Sequence, residues 1–261
     1  MIHPTAIVHK TARIGDNVRI GPHVRIEEGV TIGDGTEIMD GTIIFSNTII
    51  GNNNQIFPYC IIGGIPQDKK YAGEPSLTLI GDNNIIREFT TIHKPVGKKE
   101  KTIIGSDNYI MAYCHIAHNC IVGSNTILVN NVTLGGYAEV GDFAYLSGFV
   151  AIHQFTRIGA YSIVGGGYRV IKDVVPFALA AGEPLTIRGV NSVGLRRNGF
   201  SQERREVIKD AFRILFKSNL NTKQAIEKIK EEIPMNKDIR MLIEFIETSK
   251  RGIVKKGGKD D

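Results

Sequence analysis

Residues 104–170 read IGSDNY IMAYCH IAHNCI VGSNTI LVNNVT LGGYAE VGDFAY LSGFVA IHQFTR IGAYSI VGGGYR V, and every block opens on Ile, Leu or Val. The same phase extends towards the N-terminus. It runs from Ile2 through Val8, Ile14, Ile20, Ile26, Ile32, Ile38, Ile44, Ile50 and Ile56 to Ile62, and resumes at Ile80, Ile86 and Ile92. Only Asp68, Glu74 and Lys98 break it. A period of six matches neither the 3.6 of an α-helix nor the 2 of a lone amphipathic strand. It suits a mainly β fold, a left-handed parallel β-helix of hexapeptide repeats. Each repeat is then one short strand plus one corner, with the aliphatic inward and glycine or asparagine at the corner that a Cβ would strain. Three repeats close one triangular coil, and successive coils lie about 4.8 Å apart. Each coil covers its neighbour, so the open end needs a cap.

The interruptions at 63–79 and 93–103 leave the phase intact, which makes them loops thrown out from a continuous prism. Long loops on a rigid scaffold are where function tends to sit. After Val170 the repeat dissolves. The spacing divides the chain into a β-helix over 1–190 and a C-terminal helical domain over 191–261. Ser201 opens a helix with Val207, Ala211, Ile214 and Leu215 on one face; Thr222 precedes a second with Ala225, Ile226 and Ile229. Asn236 precedes a third with Ile239, Leu242, Ile243 and Ile246. Their expected job is to cap the prism.

Composition narrows the class. With 42% hydrophobic and 23% charged residues, the 261-residue chain has globular values, which excludes a disordered polymer. The apolar stretch Val174 to Ala181 contains Pro176 and is far too short for an integral membrane segment. Met1-Ile2-His3-Pro4 lacks the basic-then-apolar pattern of a secretory signal. Three cysteines give no disulfide framework, so a cytoplasmic location is expected. The formal charge of +5 is uneven: residues 191–261 hold 17 Lys and Arg against 11 Asp and Glu. A basic tail of this kind fits an acidic partner, nucleic acid or a solvated helix face.

His3, His9 and His23 sit in early coils near no unusual loop and read as surface imidazoles. His115, His118 and His153 differ, because residues 18 apart stack where the register is unbroken. His118 then lies under Gly136, and Gly136 under Gln154, with His153 beside the column. Two chemistries could use this patch. Zinc-dependent hydration on such a prism takes a histidine pair with four residues between them, whereas this chain has His115-x-x-His118, so no metal is expected. Acyl transfer to a hydroxyl needs a neutral imidazole as base and a backbone N–H for the oxyanion, the parts played here by His118 and Gly136. Val164-Gly165-Gly166-Gly167 is no dinucleotide loop, since no βαβ unit surrounds it. Cys60, Cys114 and Cys120 recur four residues after the aliphatic, which packing explains.

Four stretches carry a family resemblance. They are Gln67-Asp68-Lys69-Lys70-Tyr71-Ala72-Gly73-Glu74-Pro75, His115-Ile116-Ala117-His118, His153-Gln154-Phe155, and Gly189-Val190-Asn191 with Arg196-Arg197-Asn198-Gly199-Phe200. Over its whole length the chain resembles the UDP-N-acetylglucosamine O-acyltransferases that start lipid A synthesis. The resemblance implies a homotrimer with sites between neighbouring prisms. It implies transfer of a 3-hydroxyacyl group from acyl carrier protein to the 3-position of the UDP-sugar, without metal or covalent acyl-enzyme. By matching positions, His118 is the general base and Gly136 the oxyanion amide. Gln67, Asp68 and Lys70 reach the sugar from the adjacent subunit; His115, His153, Gln154 and Asn191 line the nucleotide-sugar and phosphopantetheine groove; Arg197 meets phosphate or carrier. Gly166, two repeats beyond His153, is the candidate for setting acyl length. Asn119 stands where the family often has Asp, and Tyr137, Val193 and Asn198 also depart from its pattern. Three rival readings remain. One is the same transfer to a 3-amino sugar acceptor, which these departures leave open. Another is the related N-acyltransferase acting later in the same pathway, a family that usually carries an extra N-terminal sugar-binding domain. The third is a non-enzymatic scaffold, which leaves the histidine patch without a purpose.

Overall fold

The computed structural model describes residues 1–255. Almost every repeat contributes a short strand, and successive strands pass in turn to three parallel walls. Wall one runs from Ile7–Val8 to Arg169–Val170, and wall two from Arg13–Ile14 to Arg157–Ile158. Wall three runs from Arg19–Ile20 to Ile163–Val164 and is extended by Ala178–Ala181 and an antiparallel strand, Thr186–Val190. Every register aliphatic from Ile20 to Val170 is at most 4% exposed. Burying one such side chain contributes about 1.5–3 kcal/mol, so the stacked column is the core that holds the prism. The first coil has no neighbour below it, and Ile2 is 50% exposed.

Glycine plays two separate parts at the corners. Left-handed φ occurs at the third residue after the aliphatic, and Asn17, Asn53, Tyr59, Phe89 and Tyr113 adopt it as well as Gly29, Gly35 and Gly41. Aromatics there stack from coil to coil, Tyr59 on Phe89 at 5.6 Å and Phe89 on Tyr113 at 4.9 Å, which offsets the strain. The glycine directly after the aliphatic answers a different demand. A Cβ on Gly33 would lie 2.6 Å from the carbonyl carbon of Gly51, and one on Gly105 would lie 2.6 Å from the oxygen of Gly123. Close approach of the next coil requires it, not the corner dihedral.

Both loops leave the corner between walls one and two. Ile80 stacks on Ile50 and Ile104 on Ile80, so each loop inserts whole periods and the phase survives. The loops are shorter than the sequence spacing gives. Strands Ile61–Gly64, Leu77–Ile80, Thr91–His93 and Lys101–Ile104 absorb their ends by pairing with the coils above and below.

The prism also continues past Val170. Val174 bridges to Ile158 in wall two, and Ala178–Ala181 pairs with Ile163–Val164 in wall three. Val174, Val175 and Phe177 are fully buried, so this last partial coil closes the end before any helix begins. Among the described residues four helices follow: α1 (Ser192–Arg197), α2 (Gln202–Lys217), α3 (Thr222–Glu232) and α4 (Lys237–Glu247). The short α1 has no apolar stripe to reveal it in the sequence. Ser201 and Asn236 cap α2 and α4 as expected, but Asn221 and not Thr222 caps α3. Asn221 Oδ1 accepts from Gln224 N at 3.0 Å and Gln224 Oε1 accepts from Asn221 N at 3.1 Å, which puts Thr222 inside the first turn. Helix α2 buries Ile208, Ala211 and Phe212, one position round from the Val207 face. Arg204 grips the buried Asp238 carboxylate with two nitrogens and lies over the Phe200 ring, tying α2 to α4.

Candidate active site

The corner between walls one and two gathers His118, Gly136 and Gln154 in consecutive coils. The stacking is direct: Tyr137 N donates to His118 O and Phe155 N to Gly136 O, both at 3.0 Å. Gly136 is buried, and a Cβ on it would come 2.5 Å from both Cε1 and Nε2 of His118. Any side chain here would strike the imidazole. The Gly136 N–H makes no hydrogen bond among the described residues, so a free donor lies beside the imidazole.

The tautomer of His118 follows from its neighbour. Asn119 is buried, and its Oδ1 accepts from Val96 N at 2.9 Å while its Nδ2 donates to Val96 O at 3.1 Å. Those two bonds fix which way the amide points. The oxygen facing His118 Nδ1 at 2.8 Å must therefore accept, and Nδ1 must carry the proton. Nε2 of the neutral ring is left with a bare lone pair. The Asp68 carboxylate faces that nitrogen at 3.6 Å, outside hydrogen-bond reach. The carboxylate that Asn119 lacks thus stands at the opposite nitrogen.

Asp68 reaches the patch within its own chain, because its loop folds back over its own corner. Lys70 N donates to Asp68 Oδ1 at 2.8 Å, which shapes the turn; the Gln67 and Lys70 side chains are exposed. His115 sits in wall one with Nδ1 2.7 Å from Thr91 Oγ1. Burial, and then the neighbouring His118, lowers its pKa. The imidazole packed against it is His93, edge-on at 4.8 Å, and not His153. His93 is 7% exposed and its Nδ1 has no partner. Burial first, then His115 and His118, push its pKa down to about 4, so it stays neutral. The sequence spacing left His93 in a loop. Carrying the register across the loop pairs Thr91 with His115 and would have found it.

His153 and Gln154 are exposed one coil beyond Gly136, with His153 Nδ1 3.0 Å from Gln154 O. Within this chain two expected residues stand at other corners. Asn191 lies against Tyr161: its Oδ1 caps α1 by accepting from Gly194 N at 3.1 Å, and its Nδ2 donates to Tyr161 O at 2.9 Å. Its polar atoms already have partners. Gly166 is exposed at the corner between walls three and one, so it does not continue the His118 groove within one chain. Arg197 ends α1 with its side chain exposed. The three cysteines are buried, and burial pushes Cys60 and Cys120 up to about 12, far from any nucleophilic role.

Comparison with known proteins follows the same outline. A family model for UDP N-acetylglucosamine O-acyltransferase, domain 2, matches residues 173–254, and one for bacterial transferase hexapeptide repeats matches 101–136. A third, the GMPPB C-terminal domain, matches 1–107. The chain is 49% identical over 208 residues to an acyl-acyl-carrier-protein–UDP-N-acetylglucosamine O-acyltransferase of Thermodesulfovibrio yellowstonii, covering 77% of this chain and 78% of that one. It is 50% identical to the protein of the same name from Paracidovorax citrulli, covering 78% and 79%. The UDP-N-acetylglucosamine acyltransferase structure from Bacteroides fragilis superposes with a TM-score of 0.95 at 43% identity, covering 97% of this chain and all of that one. The Francisella novicida enzyme gives a TM-score of 0.96 at 40% identity, covering 99% and 95%. With relatives this similar over more than three-quarters of its length, the chain belongs to the UDP-N-acetylglucosamine O-acyltransferase family.

Proposed function

We propose that the protein moves a 3-hydroxyacyl group from acyl carrier protein to the 3-hydroxyl of UDP-N-acetylglucosamine, the step that opens lipid A synthesis. The observation that carries the reading is the bare Nε2 of His118 beside the unpartnered N–H of Gly136. Nε2 takes the sugar hydroxyl proton as that oxygen attacks the thioester carbonyl. The tetrahedral oxyanion is held by the Gly136 N–H while Asp68 stabilises the imidazolium. Collapse breaks the carbon–sulfur bond, and the departing phosphopantetheine thiolate takes the proton back from Nε2. The ester is formed, the carrier thiol is released and His118 returns neutral. The acyl group arrives on the phosphopantetheine of the carrier, and the chain's own residues supply the proton transfers.

Gln67, Lys70, His115, His153 and Gln154 surround this corner and are the sugar, nucleotide and pantetheine contacts in this reading. Arg197, with Arg196, offers exposed cations to the acidic carrier. A homotrimer accounts for two further features. Tyr59, Phe89 and Tyr113 form a stacked ladder on the corner between walls three and one, and each is 43–57% exposed. A neighbour covering that corner would bring its His118 groove towards Gly166, where a missing side chain leaves room for the acyl end. No described helix is long and apolar enough to cross a membrane, and the proposed site of action is the cytoplasm.

Incubation of the purified chain with UDP-N-acetylglucosamine and 3-hydroxyacyl carrier protein, read by mass spectrometry, tests the function. Transfer of one hydroxyacyl group to the sugar nucleotide is expected. Acylation only of a 3-amino sugar nucleotide, or of neither, would contradict it.

A further inference from the structure

The loop that carries Asp68 also carries Glu74, one of the few charged residues to break the repeat. Glu74 Oε1 accepts from Gly97 N at 2.6 Å, and its Oε2 accepts from Ala72 N at 2.8 Å. The carboxylate therefore bolts the 63–79 loop to the 93–103 loop. The residue beside Gly97 is Val96, whose N–H and carbonyl are both bonded to the Asn119 amide. That amide in turn holds the proton on His118 Nδ1. Both nitrogens of one imidazole are thus addressed by a single loop, Nε2 through Asp68 and Nδ1 through Glu74, Gly97–Val96 and Asn119.

We infer that Glu74 is a positioning residue, which acts through the Val96 backbone and the Asn119 amide to hold His118 in its Nε2-bare tautomer when the loop is seated. The inference rests on His118 being the base. These backbone donors also lower the Glu74 pKa, so the carboxylate stays ionised and the clamp stays closed near neutrality. Without it, Val96 is free to drift, the Asn119 amide loses the pair of bonds that fix its direction, and the two neutral tautomers of His118 compete. A substrate that seats the loop through Asp68 would, by the same path, prepare the base that attacks it.

A double-mutant cycle separates this route from a merely structural one. Glu74→Ala should lower kcat by roughly 10–100-fold, as small misplacements of a reacting group do, with the melting temperature and the KM for UDP-sugar little changed. Asn119→Ala should lower kcat to a similar extent. In the Asn119→Ala background, adding Glu74→Ala should cost less than about twofold, because the path it acts through is already cut. Glu74→Gln, which keeps an oxygen for the Gly97 N–H, should recover part of the lost kcat. Equal losses in both backgrounds, or a Glu74→Ala effect confined to KM, would overturn the inference. His118→Ala, run alongside, distinguishes the failures: if it too is active, the assignment of the base falls instead.

Discussion

At the corner between walls two and three, a side chain of the next coil caps each amide in turn from Asp16 to Ser124. Asp16 N donates to Asp34 Oδ1, Asp34 N to Asn52 Oδ1 and Ser124 N to Asp142 Oδ1, all at 2.8 Å, with Asp82, Ser106 and Ser124 filling the steps between. At the corner between walls one and two the same step is occupied by His118, Gly136 and Gln154. Gly136 has no side chain to offer the coil below, and Gln154 does not cap the Gly136 N–H. One repeat therefore builds two kinds of corner. Where short polar side chains cap successive amides, as from Asp16 to Ser124, that run of the corner is complete in itself. Where the cap is withheld, a donor is left for chemistry, and the loops from residues 63–79 and 93–103 cover that corner alone.

The sharpest test of this contrast sets one residue from each corner side by side. His118→Ala should lower kcat by about 10²–10⁴-fold, the usual loss for a general base, and leave the melting temperature near that of the parent. Asp142→Ala should do the reverse. It frees the Ser124 N–H and should cost about 1 kcal/mol of unfolding free energy with turnover intact. Denaturant unfolding and steady-state kinetics on both variants would break the comparison if His118→Ala proved stable and fully active, or if Asp142→Ala lost turnover.

A second experiment converts one corner into the other. Gln154→Asp places a carboxylate where it can accept the Gly136 N–H, as Asp142 does for Ser124. Loss of one oxyanion donor typically lowers kcat by about 10²–10³-fold, and here it should come with equal or greater stability. Gln154→Ala is the control: it removes the same side-chain contact but leaves the N–H free, so its kcat should fall far less than that of Gln154→Asp. Matching kcat values for the two variants would mean that the oxyanion is held by another group.

The smallest effect concerns His93, buried beneath the active corner. Its pKa is depressed to about 4 from an ordinary 6.5, so the unfolded chain takes up this proton first. Its contribution to stability is intact above about pH 6.5 and falls away as the pH drops towards 4. Urea titrations across that window should show a shallower decline in His93→Phe than in the parent. Identical slopes would place the acid sensitivity elsewhere.

The prism itself was legible in the sequence because its signal repeats: an inward aliphatic every sixth residue has one geometric solution, and the loops insert whole periods. His118 and Gly136 were legible for the same reason, since stacking follows from counting. What escaped was either local or depended on crossing an insertion. Asn119 read as a lost charge, because only the paired bonds to Val96 reveal that its amide orients the ring. His93 escaped because the stacking count stopped at the loop. The capping role of Asn191 escaped because its position just before α1 signals it only once α1 is known. Gly166 lies near His153 in sequence, but counting corners puts it at another edge.

The account turns on one protonation state. Histidine-selective ¹⁵N labelling, with His118→Gln used to assign the resonance, reads it directly. Near neutral pH, His118 should show a protonated Nδ1 and a bare Nε2, and Asn119→Ala should erode that preference. A predominant Nε2–H tautomer in the parent would contradict it, because the nitrogen facing Asp68 and Gly136 would then have no lone pair with which to take the sugar's proton.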